Sequence, residues 1–192
     1  MDPIYWVLIG AVVLGVLWTI VTYNSLVRLR MGVKNSWADI DVQLQRRYDL
    51  IPNLVEIAKG YLKHERELLE NVTRARSGCV NALANAKAGP TTELISAEGA
   101  LGGALSKLMI QVEAYPDLKA NTNMMQLTEE VSSTENKISF ARQYYNDTVN
   151  ALNTKVESFP ANIIANMFSF KQANFFEVAN REQLKEAPKI AF

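Results

Sequence analysis

Residues 4–51 read IYWVLIGAVVLGVLWTIVTYNSLVRLRMGVKNSWADIDVQLQRRYDLI, and this stretch decides the fold. Its first part, 4–23, carries no charge. About 20 apolar residues in a helix span about 30 Å, the thickness of a bilayer's hydrocarbon core. Tyr5 and Trp6 at one end, Trp18 and Tyr23 at the other, are amphipathic aromatics suited to the two interfaces. A cleaved signal peptide fits poorly: no basic region precedes the run, the run is too long, and no A-x-A site follows it. Residues 1–23 are therefore expected to be a transmembrane anchor.

Beyond Tyr23 there is no linker. Residues 24–30 contain neither Pro nor Gly, and apolar positions continue at Leu26, Leu29, Val33, Trp37, Ile40 and Leu44. Steps of three and four mark an amphipathic helix. The membrane helix is expected to run on into the water-soluble part as one rod. Pro52 interrupts the pattern, which resumes in register at Leu54, Ile57 or Ala58, Tyr61, Leu68, Val72, Ala75, Cys79, Leu83 and Ala86. A kink at Pro52 within one run is favoured over a separate element.

Gly89-Pro90 stops this run, and Thr91 or Thr92 can cap the next. A second run carries Leu94, Glu98, Leu101, Leu105, Leu108, Val112 and Tyr115, with Gly99, Gly102 and Gly103 inside it. Glycine disfavours a helix by about 1 kcal/mol relative to Ala, so these three imply close packing against a neighbouring helix, or else a bend or fray. A third run extends from Leu118 to about Phe159, long enough to lie antiparallel along the first. Nothing reads as a strand. The fold class is all-α: a transmembrane helix continuing into an elongated antiparallel bundle of three to four helices over residues 24–160.

The tail, 161–192, holds a short helix and the apolar residues Ile163, Ile164, Met167, Phe168, Phe170, Phe175 and Phe176, closing on Ile190, Ala191 and Phe192. It is expected to fold back over one end of the bundle; the alternative is an exposed patch for a partner or the membrane surface.

Lys plus Arg equals Asp plus Glu, at 20 each, which leaves no electrostatic footprint for nucleic acid. One cysteine, Cys79, and one histidine, His64, exclude an intrachain disulfide and a clustered His/Cys metal site. There is no zinc-protease helix motif, no phosphate-binding loop and no dinucleotide fingerprint. No cofactor, metal or catalytic residue is expected.

Two features remain. Ala11, Gly15 and Thr19 share one face of the span at a spacing that lets membrane helices approach closely, so they are helix–helix interface candidates with Gly99, Gly102 and Gly103. A polar set on the first run (Asp39, Asp41, Arg46, Arg47) faces another on the third (Glu135, Arg142, Glu157) if the two pair antiparallel. Networks of this kind fix the register of long helices; a solvated face is the alternative. Arg28, Arg30 and Lys34 put the bundle in the cytoplasm with the N-terminus outside by the positive-inside rule, and the opposite orientation stays open.

Three stretches of the first run carry a resemblance: Tyr23-Asn24-Ser25-Leu26-Val27, residues 33–44 (VKNSWADIDVQL) and residues 46–55 (RRYDLIPNLV). So do Thr134-Glu135-Asn136-Lys137-Ile138, residues 140–146 (FARQYYN) and Glu157-Ser158-Phe159-Pro160. Together they resemble the signature of the LemA family over nearly the whole chain. The resemblance implies a bacterial inner-membrane protein with a single N-terminal span and a helical bundle, and it brings no catalytic residues. Relatives in the machinery of magnetosome membranes point toward membrane organisation. Two functions are carried forward. One is a structural protein that forms homo-oligomers and organises the bilayer as a scaffold. The other is an adapter docking another membrane protein, such as a protease or transporter.

Overall fold

The computed structural model describes residues 3–177. Its first helix, α1, runs unbroken from Pro3 to Tyr61, 59 residues or roughly 90 Å. The rod expected from the missing linker is present. Residues 3–18 are exposed, while burial begins at Thr22 and Leu26, where the bundle starts. The seam of α1 (Leu26, Val33, Ile40, Leu44, Ile51, Leu54) is buried, each side chain contributing about 1.5–3 kcal/mol relative to exposure.

Pro52 stays inside α1. Proline has no N–H, so the carbonyl of Tyr48, one turn back, loses its helical donor. A buried or half-buried carbonyl needs a partner, and Arg76 supplies one: its Nε donates to the Tyr48 carbonyl at 2.6 Å. The donor missing from α1 is replaced from the next helix.

The heptad pattern gives no sign of a separate helix here. The run expected to continue to Ala86 breaks at residues 62–65, and α2 (Arg66–Asn85) turns back along α1. The break carries no Pro or Gly; burial of Leu62 and a hydrogen bond from the Tyr115 hydroxyl to Glu65 hold it. Helix α3 (Thr92–Ala114) starts at the expected Gly-Pro stop, with the Thr91 side chain accepting from the Leu94 N–H at 3.1 Å. Gly89 has φ +144°, a conformation side-chain-bearing residues rarely adopt. The third run also divides, into α4 (Pro116–Lys119) and α5 (Thr122–Glu157), where Asn121 caps the start of α5 through the Met124 N–H. A short α6 (Ala161–Met167) comes next.

Helices α1 and α5 form the largest interface, antiparallel as expected. Their register is fixed by Arg47 with Glu135, Trp37 with Tyr145, and Ser36 with Thr148 at 2.9 Å. The bundle has two storeys. In the one far from the apolar end, α2 and α3 join α1 and α5 as four helices. Nearer the apolar end, α1 and α5 are joined by α6 and the irregular segment 170–177. That segment is clipped to α5 by two asparagines seven residues apart. Asn153 pairs with the backbone of Ala173 (2.9 and 3.0 Å) and Asn146 with that of Phe176 (2.8 and 3.2 Å). Phe170 and Phe176 are buried there. The tail folds back as far as Glu177; Ile190, Ala191 and Phe192 lie outside the described residues.

Candidate functional site

Arg47 occupies a seam position of α1, between Leu44 and Ile51, and is 2% exposed. Glu98 occupies the equivalent place in α3, between Leu94 and Leu101, and is also buried. Charges on core seams must be paired, and these pair with each other. The Arg47 guanidinium donates to Glu98 and, through its other amino nitrogen, to Glu135 of α5. Arg142, also on α5, donates to Glu98 Oε2 at 2.8 Å, and the Tyr48 hydroxyl to Oε1 at 2.5 Å. One carboxylate thus collects three donors from two helices, and one guanidinium bridges α3 and α5 from α1. The Arg142 guanidinium also lies 4.5 Å over the Phe176 ring, so the cluster reaches the clipped tail.

Burial opposes the charge on Arg47, but the carboxylates of Glu98 and Glu135 outweigh it and raise its pKa. Arg142 is lowered, burial outweighing the help of Glu98. Tyr48 is pushed well above the usual phenol range, by burial first and then by the Glu98 charge. The same two causes push the Cys79 thiol up to about 12. Burial and the Glu98 charge thus favour the neutral forms of Tyr48 and Cys79 and disfavour a thiolate at Cys79. Among the described residues no group of His, Cys, Asp and Glu is placed to hold a metal ion.

Of the polar set expected from the sequence, the structure brings together Arg47, Glu135 and Arg142. The others lie elsewhere. Asp39 and Arg46 are exposed, Asp41 accepts from Gln45 one turn on (3.0 Å), and Glu157 is bound by the Gln172 amide. In the sequence Glu98, the hub, stands only as a member of the apolar run. The signal for it was the seam itself: a charge at a core position separates Arg47 and Glu98 from Arg46 and Asp39 beside them.

The interface candidates stand open within the chain. A Cβ added at Gly15, Gly99, Gly102 or Gly103 would meet nothing within 4 Å, so no helix of the described chain packs closely there, and α3 passes through its glycines without a break. Ala11 is exposed, and the Thr19 hydroxyl turns back onto the Gly15 carbonyl at 2.8 Å. An open groove of about 1120 Å³ runs between α3 and α5, lined by Gly102, Ser106, Met109, Met124, Met125 and Glu135 among others.

An apolar helix long enough to cross a bilayer, continuing into a bundle locked by a buried charge cluster, defines a membrane-associated helical protein. Residues 36–192 match the model of the LemA family, and the chain belongs to that family. Protein LemA of Metamycoplasma hominis is 29% identical over 161 residues, covering 84% of this chain and 71% of that protein. Magnetosome protein MamQ 2 of Paramagnetospirillum magneticum is 24% identical over 175 residues, covering 81% of this chain. Magnetosome protein MamQ of Magnetospirillum gryphiswaldense is 22% identical over 174 residues, covering 80%. The match spans 64% of the length of each of these two MamQ proteins.

Proposed function

We propose that this chain is a non-enzymatic, membrane-anchored bundle protein that self-associates and organises or shapes the bacterial inner membrane, its bundle on the cytoplasmic side. The observation that carries the reading is the continuity of α1: anchor and bundle are one helix, so copies that associate through their spans bring their bundles together in a fixed orientation. Ala11 and Gly15 supply an open small-residue face in the span, and Gly99 and Gly103 supply another on the bundle. Both let a second helix approach closely. Names of relatives as magnetosome proteins agree with a membrane role. The test is cysteine crosslinking of Gly15→Cys in native membranes, with electron microscopy of the same membranes. Crosslinked dimers and ordered patches are expected; a strictly monomeric chain would overturn the reading.

The α3–α5 groove favours a second reading, an adapter that docks another membrane protein such as a protease or transporter. It predicts a stoichiometric partner in gentle extracts, lost on replacing Met109 and Met125 by Glu while the helical signal is kept.

A further inference from the structure

The antiparallel register of α1 and α5 also sets the height of the segment after α5. Continued from Ser36–Thr148 and Trp37–Tyr145, it brings Glu157, the last residue of α5, opposite residues 25–27 of α1. The corner 158–160 and α6 therefore lie lower still, beside the end of the apolar stretch. Thr22 is only 4% exposed at this level, and the Tyr23 ring packs on Phe168 (4.8 Å) and Phe170 (5.7 Å). Tyr23 is the aromatic residue that marks the interface end of the span.

Only one side of α6 is used by the bundle. Ala161, Ile164 and Ala165 are buried inward, while Ile163 and Met167, one turn apart on the outer side, are 51% and 66% exposed. Phe159, in the corner before them, is 80% exposed. Large apolar side chains on the outer face of a short helix do not suit water. Just above this level stand Arg28 and Arg30, with Lys171 just beyond α6, and all three are exposed. Cations above an apolar patch are the order in which a bilayer presents phosphates above acyl chains.

We propose that the α5–α6 corner is a second membrane contact, in which Phe159, Ile163 and Met167 enter the interface of the leaflet through which α1 leaves the bilayer. The occupant is lipid because the patch is continuous with the span: the exposed apolar surface of α1 ends at the height where that of α6 begins, and both face the same layer. The contact gives the molecule a second point of attachment beside α1, so it fixes which face of the bundle is turned to the membrane. The proposal rests on the anchoring of α1 and not on self-association.

The test uses the full chain in vesicles of phosphatidylcholine and phosphatidylglycerol. Ile163→Cys, Met167→Cys, Val12→Cys in the span and Ile110→Cys, exposed on α3 at the α3–α5 groove and away from the span, each carry an environment-sensitive fluorophore. Buried Cys79 is left in place. Helical circular dichroism equal to that of the parent chain confirms the fold of each variant. Labels at 163 and 167 are expected to lose most of their emission to lipids bearing a nitroxide near the glycerol, and little to aqueous iodide. The label at 110 should show the reverse. Iodide access at 163 and 167 equal to that at 110 overturns the proposal. So does protection from both quenchers, which means that a second copy or another protein covers the patch. If the label at 12 escapes quenching by lipids bearing the nitroxide deep in the acyl chain, the anchoring of α1 falls as well; if it is quenched by them while 163 and 167 escape the shallow nitroxide, only the second contact falls.

Discussion

At the scale of single residues, Pro52 and Arg76 are coupled through the Tyr48 carbonyl. Replacing Arg76 by Ala leaves the Tyr48 carbonyl without a donor and should cost about 1–3 kcal/mol. In a Pro52→Ala background the helix regains its own N–H, and the same Arg76→Ala change should cost clearly less. A double-mutant cycle by denaturant unfolding in detergent measures the difference, and strict additivity would disprove the coupling.

The charge cluster gives a contrast of magnitudes. Glu98→Ala takes the carboxylate from Arg142 and leaves buried Arg47 with only the half-exposed Glu135, and should destabilise by about 3–5 kcal/mol. Glu135→Ala removes a carboxylate whose side chain is 52% exposed, and should cost about 1 kcal/mol or less. Equal melting shifts for the two would show that the hub is misassigned. Titration adds a third expectation. Cys79 and Tyr145 have pKa values raised to about 12 by burial, and Tyr48 is raised further. Groups raised on folding contribute their full stability below their unfolded values, about 8.5 for Cys and 10 for Tyr, and lose it as pH rises through the folded ones. Melting temperature should therefore fall from about pH 8.5 upward, and more steeply above about pH 10. In Cys79→Ala the first part of that fall should vanish.

At the scale of elements, the seams were legible because burial follows the three-four period: Leu94, Leu101, Leu105 and Leu108, and Val131, Ile138, Tyr145, Val149 and Leu152, are buried as their spacing implies. So was the stop at Gly89-Pro90, where backbone chemistry is local. The breaks at 62–65 and 120–121 were not. Lys63, His64 and Glu65 are acceptable in a helix, and the turn is imposed by distant partners, Leu62 in the core and Tyr115 on Glu65. The clip of Asn146 and Asn153 on segment 170–177 was equally hidden, since an amide on a helix gives no sign of the irregular backbone it binds. The loop after α2 yields a prediction. A Cβ at Gly89 would come within 3.2 Å of the Tyr145 hydroxyl, at a φ that disfavours side chains. Gly89→Ala should cost on the order of 1–3 kcal/mol and raise amide exchange in 86–91, whereas Gly103→Ala, with open space around it, should stabilise α3 by up to about 1 kcal/mol.

At the scale of the whole molecule, the unbroken α1 turns bilayer thickness into a mechanical quantity. The apolar stretch from Ile4 to Tyr23 measures about 30 Å as a helix, matched to a hydrocarbon core of about 30 Å. A span longer than its membrane leans over, and a thinner membrane makes it lean more. With no hinge up to Tyr61, the bundle leans with it as a lever arm of about 60 Å, so each change of about 10° sweeps its far end sideways by about 10 Å. Energy transfer from a label at Asn121, at that far end, to a dye in the headgroup layer should thus shift with acyl-chain length. A pair of flexible Gly-Ser residues inserted after Val27 should abolish the shift. In such a rod the lipid itself sets the reach of the distal tip, and copies placed in regions of different thickness would present their tips at different heights above the same surface.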